Sequence, residues 1–357
     1  MILNSRIVKE LAPGKGNPRN SEGAFIELSD GRIMFIYSRF NDGIGLDNDP
    51  AGLACIYSED GGETWSDTQS VLTAADDHAQ NIMSVSLIRM QNNDIGLFYF
   101  VRYGFNNGKA YLRRSSDEGE TWSEAACCVP AYGYYVTNND RVVRLKSGRL
   151  ILPAGFHRTF LNQADGMETL DERASTIYFY SDDDGFTWHE SNLCCMNSRH
   201  TGSGLQEPGV IELKNGALYG WARTDMGCQY EMFSNDGGVS WSTPQPSLFT
   251  SPCSPMSIKR SPVGGNLLAV WNPIPRYITR EIKGTSDRNP LICAVSRNDG
   301  LTWESPIILE DDTLSGYCYT GIFFSGNDVL LAYCAGGPAD RGCLNRLRIR
   351  KLQNPCI

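Results

Sequence analysis

The length, composition and charge of the chain exclude several classes of partner. The chain has 357 residues, of which 41% are hydrophobic, and its formal net charge is −9. Nucleic acid requires a basic surface, and a membrane span requires about 18 or more consecutive apolar residues. The sequence offers neither, so we expect no nucleic acid and no membrane as a partner.

The first residues and the cysteines bear on the compartment. Residues 1–6 (MILNSR) do not lead into the apolar segment of a signal peptide. The twelve cysteines form no Cys-x-x-Cys pattern and lack the spacing of zinc ligands. We interpret them as reduced thiols and expect a cytoplasmic protein, or a secreted one if the chain has been trimmed. We expect no metal and no cofactor.

An octapeptide with the pattern S-x-D-x-G-x-T-W first occurs at residues 58–65 and recurs along the chain. Asp or Asn accepts nearby backbone amides, Gly adopts positive φ, and Trp buries a large ring. Internal repetition at roughly 50 to 60 residues is typical of a repeat architecture. The five copies, the last with Asn298 in the acidic position, are residues 58–65, 115–122, 181–188, 234–241 and 296–303.

A second repeat consists of a two-residue turn followed by an apolar strand, as in a β-hairpin. Its six copies are residues 30–35, 93–97, 147–151, 215–219, 264–268 and 326–330. Each of the first five is followed by an octapeptide. Six such units predict an all-β, six-bladed β-propeller that occupies residues 1–357 as a single domain.

The last unit lacks an outer strand at the C-terminal end. Residues 320–324, 329–334 and 346–352 supply three strands, and the only unassigned strand-like run is 7–11. We predict that this N-terminal strand joins the last blade, closes the ring and covers an open edge. Residues 162–173 read as a long polar loop with room for one helical turn.

The octapeptide resembles the Asp-box of the sialidase (neuraminidase) superfamily, and further segments resemble the same family. Residues 204–223 contain a Glu before a strand pair and an Arg sixteen residues later, here Glu207 and Arg223. Arg288 matches the place of another sialidase arginine. Residues 315–322 resemble the tyrosine motif of the family, in which Tyr319 aligns best and Tyr317 is the alternate.

The resemblance implies a chemistry for these residues. A sialoside carries a carboxylate on its anomeric carbon, and arginine binds carboxylates through two parallel hydrogen bonds. A carboxylate nucleophile would be repelled by this substrate, whereas a neutral tyrosine would not, and sialidases do use tyrosine. Glu207 would therefore be the base for Tyr319, and Arg223 and Arg288 would bind the substrate carboxylate.

An aspartate on a loop of the first blade would protonate the leaving oxygen. In this family it precedes the first Asp-box, here within residues 39–57, which contain Asp42, Asp47 and Asp49. Spacing to the Asp-box favours Asp47 as the acid, with Asp49 close behind.

The chain departs from the family in its first blade. Ser21 stands where the family has its first arginine, and Arg19 lies two residues earlier. Residues 332–334 lack the Glu that holds this arginine. We expect a rebuilt corner, in which Glu22 either pairs with Arg19 or acts as an acid itself. The candidate substrate contacts are therefore Arg19, Glu22, Asp49, Arg223, Arg288 and Tyr317.

The function that the resemblance implies is that of a retaining exo-glycosidase. Its substrate would be a glycan that ends in sialic acid or a related acidic 2-keto sugar. One alternative is a non-catalytic, glycan-binding Asp-box propeller. Another is a propeller enzyme that acts on uronate-type sugars.

Overall fold

Short strands and tight turns make up the chain. The computed structural model describes residues 4–162, 166–196, 200–276 and 287–356. Ala74–Asp77 and Pro338–Asp340 form single 3-10 turns, and no helix in the described ranges has the length and hydropathy needed to cross a bilayer. The strands are β1 Ser5–Leu11, β2 Arg19–Glu27, β3 Ile33–Phe40, β4 Ala51–Ser58, β5 Gln69–Leu72, β6 Asn81–Arg89, β7 Ile95–Gly104, β8 Asn107–Ser115, β9 Ala126–Cys127, β10 Tyr134–Val136, β11 Val143–Arg144, β12 Leu150–Leu161, β13 Glu168–Ser181, β14 His189–Glu190, β15 Gln206–Glu212, β16 Leu218–Arg223, β17 Cys228–Ser234, β18 Gln245–Thr250, β19 Ser257–Arg260, β20 Leu267–Trp271, β21 Leu291–Ser296, β22 Ile307–Glu310, β23 Cys318–Ser325, β24 Asp328–Cys334 and β25 Leu347–Gln353.

Strand pairing in the described residues gives five sheets. Four have four strands each, in the orders β2-β3-β4-β5, β15-β16-β17-β18, β19-β20-β21-β22 and β1-β25-β24-β23. The fifth has nine strands, because β10 lies between β8 and β12 and joins two sets of strands. β10 pairs with β12 at three positions but with β8 only where Tyr134 faces Gly108. The all-β prediction is confirmed, whereas six separate blades stay a prediction.

The six predicted turn-plus-strand segments each lead into a strand. The strands that follow the turns are β3, β7, β12, β16, β20 and β24, and each begins within one residue of the predicted position. This agreement follows from local chemistry, because the two-residue turns and the apolar alternation are both visible in a few residues.

The N-terminal strand covers the outer edge of the last sheet, as predicted. β1 runs antiparallel to β25, with Ser5 opposite Leu352 and Leu11 opposite Leu347. Glu10 on β1 accepts hydrogen bonds from Arg346 and Arg348 at 2.7 and 2.5 Å. An edge that would otherwise present unpaired backbone groups is thereby occupied.

The prediction of a polar loop over residues 162–173 is wrong for residues 168–173, which belong to a strand. β13 begins at Glu168, and β12 and β13 continue their pairing outward through Thr159 opposite Leu170 and Leu161 opposite Glu168. The hairpin projects beyond the sheet, so many of its side chains meet solvent and its strands lack the apolar alternation of a buried strand. Residues 163–165, also part of that prediction, lie outside the described residues.

Each Asp-box closes on itself through the side chain in its acidic position. In the first box, Asp60 Oδ1 accepts from Ser58 Oγ and from the Thr64 amide at 2.8 and 2.9 Å, and Oδ2 accepts from the Thr64 hydroxyl at 2.6 Å. In the fifth box, Asn298 accepts from the Thr302 amide at 2.9 Å and donates to its hydroxyl at 2.8 Å. Asn therefore reproduces the same turn.

Buried apolar clusters join each set of strands to the next. One cluster also joins the first set to the last, where Phe35 and Trp65 pack with Leu330 and Ile349. The first strand of each set, called its leading strand below, lies next to the leading strands of neighbouring sets. β2 lies against β6 and β23, and β19 lies against β15 and β23. Pairs that represent the six clusters are Ile36 with Leu97, Phe98 with Phe179, Ile151 with Leu218, Trp221 with Leu267, Leu268 with Leu331, and Phe35 with Leu330.

Candidate active site

Four leading strands carry a β-bulge at the same end, and each bulge holds a residue at positive φ. These residues are Glu22 on β2, Ser84 on β6, Glu207 on β15 and Tyr319 on β23, with φ of 51°, 60°, 47° and 59°. A bulge re-aims a side chain away from the normal alternation of a strand, and left-handed backbone in non-glycine residues is uncommon. All four side chains line one pocket.

The pocket has a volume of about 190 Å³ and two unlike walls. One wall is apolar and is formed by Met83, Phe100, Tyr134, Val136 and Leu170. The other wall is polar and contains the four bulge residues together with Asp47, Arg102, Gln206 and Arg223.

Tyr319, Glu207 and Arg223 are in direct contact on the polar wall. The Tyr319 hydroxyl donates to Glu207 Oε1 at 2.8 Å, and Arg223 Nη1 donates to the Tyr319 oxygen at 3.2 Å. Arg223 Nη1 also lies 2.8 Å from Glu207 Oε2, as an ion pair that lacks hydrogen-bond alignment. Gln206 Oε1 accepts from Arg223 Nε and Nη2 at 2.9 and 2.7 Å, which orients the guanidinium.

The surroundings of Tyr319 keep its phenol protonated. Burial raises the pKa of Tyr319 well above its usual value, the charge of Glu207 raises it further, and Arg223 and Arg288 oppose both effects. The phenol therefore reacts as a nucleophile only if its proton is removed as it attacks. Glu207 Oε1 is already in position to accept that proton.

Arg288 lies behind Tyr319. Its guanidinium is 5.4 Å from the centre of the Tyr319 ring, Nη1 donates to Cys318 Sγ at 3.0 Å, and Nη2 is 3.4 Å from the Cys253 carbonyl oxygen. Its Nε is buried and has no hydrogen-bond partner among the described residues.

Arg19, Glu22 and Asp47 form a second charged group. Arg19 is buried and donates to Glu22 Oε1 at 2.9 Å and to Asp47 Oδ1 at 2.5 Å. Glu22 is thus a partner of Arg19, and its other oxygen, Oε2, accepts from Ser84 Oγ at 2.5 Å. Burial raises the pKa of Glu22 against the effect of Arg19. Desolvation acts to raise the pKa of Asp47, but its side chain is 61% exposed, and the charges of Arg19, Arg102 and Arg223 hold that pKa below its usual value.

Asp49, Asp42 and Tyr317 lie outside this group of contacts. Asp49 Oδ2 accepts from the backbone amides of residues 44, 45 and 46, each at 2.8 Å, so its carboxylate holds its own loop together. Asp42 is exposed and accepts from the Gly43 amide. Tyr317 is fully buried and packs edge-on against Tyr333 in the core. Of the two tyrosines, only Tyr319 lines the pocket.

Sequence reasoning missed Arg102, which lines the pocket and donates from Nη1 to the backbone carbonyl of Asp47 at 2.8 Å. A signal was present, because Arg102 and Arg223 both stand near the end of the second strand of their hairpins. His157 also lines the pocket, with Nδ1 2.9 Å from the Asp171 carbonyl oxygen. Burial lowers the pKa of His157 and favours its neutral form.

With this geometry in view, the sequence comparisons define the class of protein. Residues 45–331, more than half of the chain, match the BNR repeat-like domain family, and the chain belongs to that family. The sialidase of Vibrio cholerae serotype O1 is 28% identical over 205 residues, which are 50% of this chain and 24% of that enzyme. The match thus spans about a quarter of the curated relative. The chain is a sialidase-like BNR repeat protein.

Solved structures agree on the fold. The NanB sialidase from Streptococcus pneumoniae superposes with a TM-score of 0.73 at 14% identity, covering 99% of this chain and 71% of that one. A protein from Dyadobacter fermentans, described as of unknown function, has a TM-score of 0.73 at 16% identity, covering 99% and 100%. At these identities the likeness concerns the fold alone.

Proposed function

We propose that the chain is a retaining exo-glycosidase that releases terminal sialic acid, or a related acidic 2-keto sugar, from glycans. The observation that carries the proposal is the 2.8 Å hydrogen bond from the Tyr319 hydroxyl to Glu207, inside a pocket that also contains Arg223. A tyrosine paired with a carboxylate is a nucleophile with its base, the arrangement expected where the substrate itself carries a carboxylate.

In the first half of the proposed reaction, the Tyr319 oxygen forms a bond to the anomeric carbon while the bond from that carbon to the leaving oxygen breaks. Glu207 takes the phenolic proton, and protonated Asp47 gives a proton to the leaving oxygen. In the second half, Asp47 takes a proton from water, and the water oxygen replaces Tyr319 at the anomeric carbon. Tyr319 regains its proton from Glu207, and two inversions give retention.

Charge in the site supports an anionic substrate. Arg102 and Arg223 line the pocket beside the carboxylates of Glu22, Asp47 and Glu207. Two further buried arginines lie behind this lining, Arg19 in ion pairs with Glu22 and Asp47, and Arg288 against the Tyr319 ring, so that four arginines stand with three carboxylates. In the free protein, Asp47 occupies Arg19 and Gln206 occupies Arg223. A substrate carboxylate would compete for both guanidinium groups.

We propose a six-bladed propeller in a single domain as the architecture that brings these residues together. Six turn-plus-strand segments, five Asp-boxes and six apolar clusters that link successive strand sets support it. On this view β10 bridges two blades within the nine-stranded sheet. The bulges then stand at the same end of several leading strands around one axis.

The test is hydrolysis of a fluorogenic sialoside by the wild type and three variants. Glu207→Gln and Tyr319→Phe are expected to lower kcat/KM by about 100-fold or more, because each removes one member of the nucleophile–base pair. The matched control is Tyr317→Phe, which should stay near wild type, since that side chain is buried in the core and does not line the pocket. Full activity of both site variants would contradict the proposal. Sugar binding without turnover by the wild type would instead assign a glycan-binding protein.

A further inference from the structure

The loop that carries Asp47 is held from two directions. Within the first sheet it connects β3 to β4, and Asp49 binds three of its backbone amides. From the neighbouring sheet, Arg102 Nη1 donates to the Asp47 carbonyl oxygen at 2.8 Å, and Asn81 Nδ2 donates to the Asp49 carbonyl oxygen at 2.6 Å. Asn81 and Arg102 are opposite each other on β6 and β7. Two side chains at one end of one hairpin therefore hold the loop across the gap between sheets.

In the part of the chain that the structure describes, Arg102 lacks the carboxylate partner that Arg19 and Arg223 have, a feature that it shares with Arg288. Arg102 is 9% exposed, yet it forms no ion pair with a carboxylate among the described residues, and its Nε has no partner there. Its guanidinium lies 5.5 Å from the centre of the Tyr134 ring. A buried cation without a carboxylate partner is costly for folding, so stability alone is a poor explanation for this placement.

We propose that Arg102 is a positioning residue, which holds the Asp47 loop so that the carboxyl group stays at the pocket while substrate is bound. This inference rests on the proposed function. In the free protein the Asp47 carboxylate is also held by Arg19 at 2.5 Å. A substrate carboxylate competes for Arg19, and the contacts from Arg102 and Asn81 to the loop backbone then remain to keep this acid in place, with the shorter contact to the Asp47 carbonyl oxygen coming from Arg102.

The experiment compares two leaving groups. A nitrophenolate departs without a proton, whereas a sugar alkoxide requires one, so a badly placed acid affects only the second kind of substrate. For Arg102→Met, kcat/KM is expected to fall less than about 5-fold with a nitrophenyl sialoside and about 100-fold or more with a sialyl-galactoside. Arg102→Lys, which retains the charge and part of the reach, should restore much of the second value. Asp47→Asn should show the same contrast between substrates, and the double variant should lose little more.

The matched control lies at the other end of the same hairpin. Arg89 on β6 pairs with Glu118 and donates to the Glu27 carbonyl oxygen, outside the pocket. Arg89→Gln should preserve the wild-type ratio between the two substrates. Asn81→Ala serves as a second probe of the clamp if Arg102→Met does not fold, and it should shift the ratio in the same direction.

The possible results are distinct. An equal loss on both substrates in Arg102→Met or Asn81→Ala would reduce the clamp to a structural contact and overturn the inference, while leaving the proposed function in place. No loss on either substrate would overturn it in the same way. A wild type that cleaves neither substrate would contradict the proposed function and, with it, this inference.

Discussion

At Asp47, the charges that face the carboxyl group determine whether it carries a proton. Arg19, Arg102 and Arg223 act together to lower its pKa, and the nearby carboxylate of Glu22 is itself neutralised in part by Arg19. A carboxylate held in this way is a poor proton donor in the free protein. The proposed reaction therefore requires that substrate binding change its protonation.

We expect Asp47 to become protonated when an anionic sugar binds. The ligand carboxylate competes for Arg19 and adds a negative charge nearby, and both effects raise the pKa of Asp47. At pH values just above the usual pKa of an aspartate, about 4 to 5, binding should therefore take up protons. Isothermal titration calorimetry with an unsaturated sialic acid analogue, in buffers of different ionisation enthalpy, measures this uptake.

Two variants show which group takes up that proton. Asp47→Asn should bind the analogue with most of the uptake lost. Glu22→Gln should retain the part due to Asp47, because Glu22 is a separate buried carboxyl group whose pKa burial already raises. Equal uptake in the wild type and in Asp47→Asn would show that another group takes the proton.

At the scale of elements, the Asp-boxes are the most regular local structures of the chain. The Thr side chain and backbone amide of each box hold the pKa of Asp60, Asp117 and Asp183 at about 2. Unfolded aspartate has a pKa near 3.9. The stabilisation from these carboxylates is therefore fully present above about pH 4 and is lost as the pH falls towards about 2.

Replacing these three aspartates by Asn should flatten the response to acid. Asn keeps the turn, as Asn298 does in the fifth box, but it cannot titrate. The unfolding free energy of the triple variant, from urea titrations, should change less between about pH 4 and pH 2 than that of the wild type. The reverse change, Asn298→Asp, should steepen the response. Identical acid dependence in all three proteins would show that the boxes do not contribute to it.

The elements also show what could be predicted from the sequence. The Asp-boxes, the six turns and the edge strand β1 depend on a few adjacent residues or on simple alternation, and the structure confirms them. The extension of the β12–β13 hairpin could not be predicted from the sequence, because its strands lack the alternation of a buried strand. The pairing of β10 with β8 depends on a single contact between distant residues, Tyr134 and Gly108.

The site was partly predictable for related reasons. Glu207 and Arg223 are separated by one hairpin, so their proximity follows from local spacing. Tyr317 lies just before β23 and Tyr319 lies within it, so simple alternation over two residues does not separate them. Tyr319 stands at the bulge, with φ of 59°, and its side chain lines the pocket. Arg102 contacts the Asp47 loop across two sheets, and no short motif marks such a contact.

At the scale of the whole molecule, the pairing of β1 with β25 joins the first strand of the chain to the last one. A chain that starts at residue 12 would expose the backbone of β25 and leave Arg346 and Arg348 without Glu10. We expect its melting temperature to fall by roughly 5 to 10 °C and self-association to appear, because a bare edge strand pairs with other chains. Scanning fluorimetry and light scattering measure both effects.

The control for this truncation is Arg6→Gln, which removes one exposed ion pair with Glu63 and leaves the strand in place. Exposed ion pairs contribute little, so its melting temperature should stay close to that of the wild type. A truncated chain that melts like the wild type and remains monomeric would mean that β1 is dispensable.

The central claim is that the fold brings a nucleophilic Tyr319 to Glu207 in one pocket. Its most direct test is incubation with a 2,3-difluoro sialic acid, which slows release of a covalent intermediate, followed by intact-mass and peptide analysis. We predict one added sugar, attached to Tyr319, absent from Tyr319→Phe and present in Tyr317→Phe. Attachment to any other residue, or no adduct under conditions where the wild type cleaves sialosides, would contradict it.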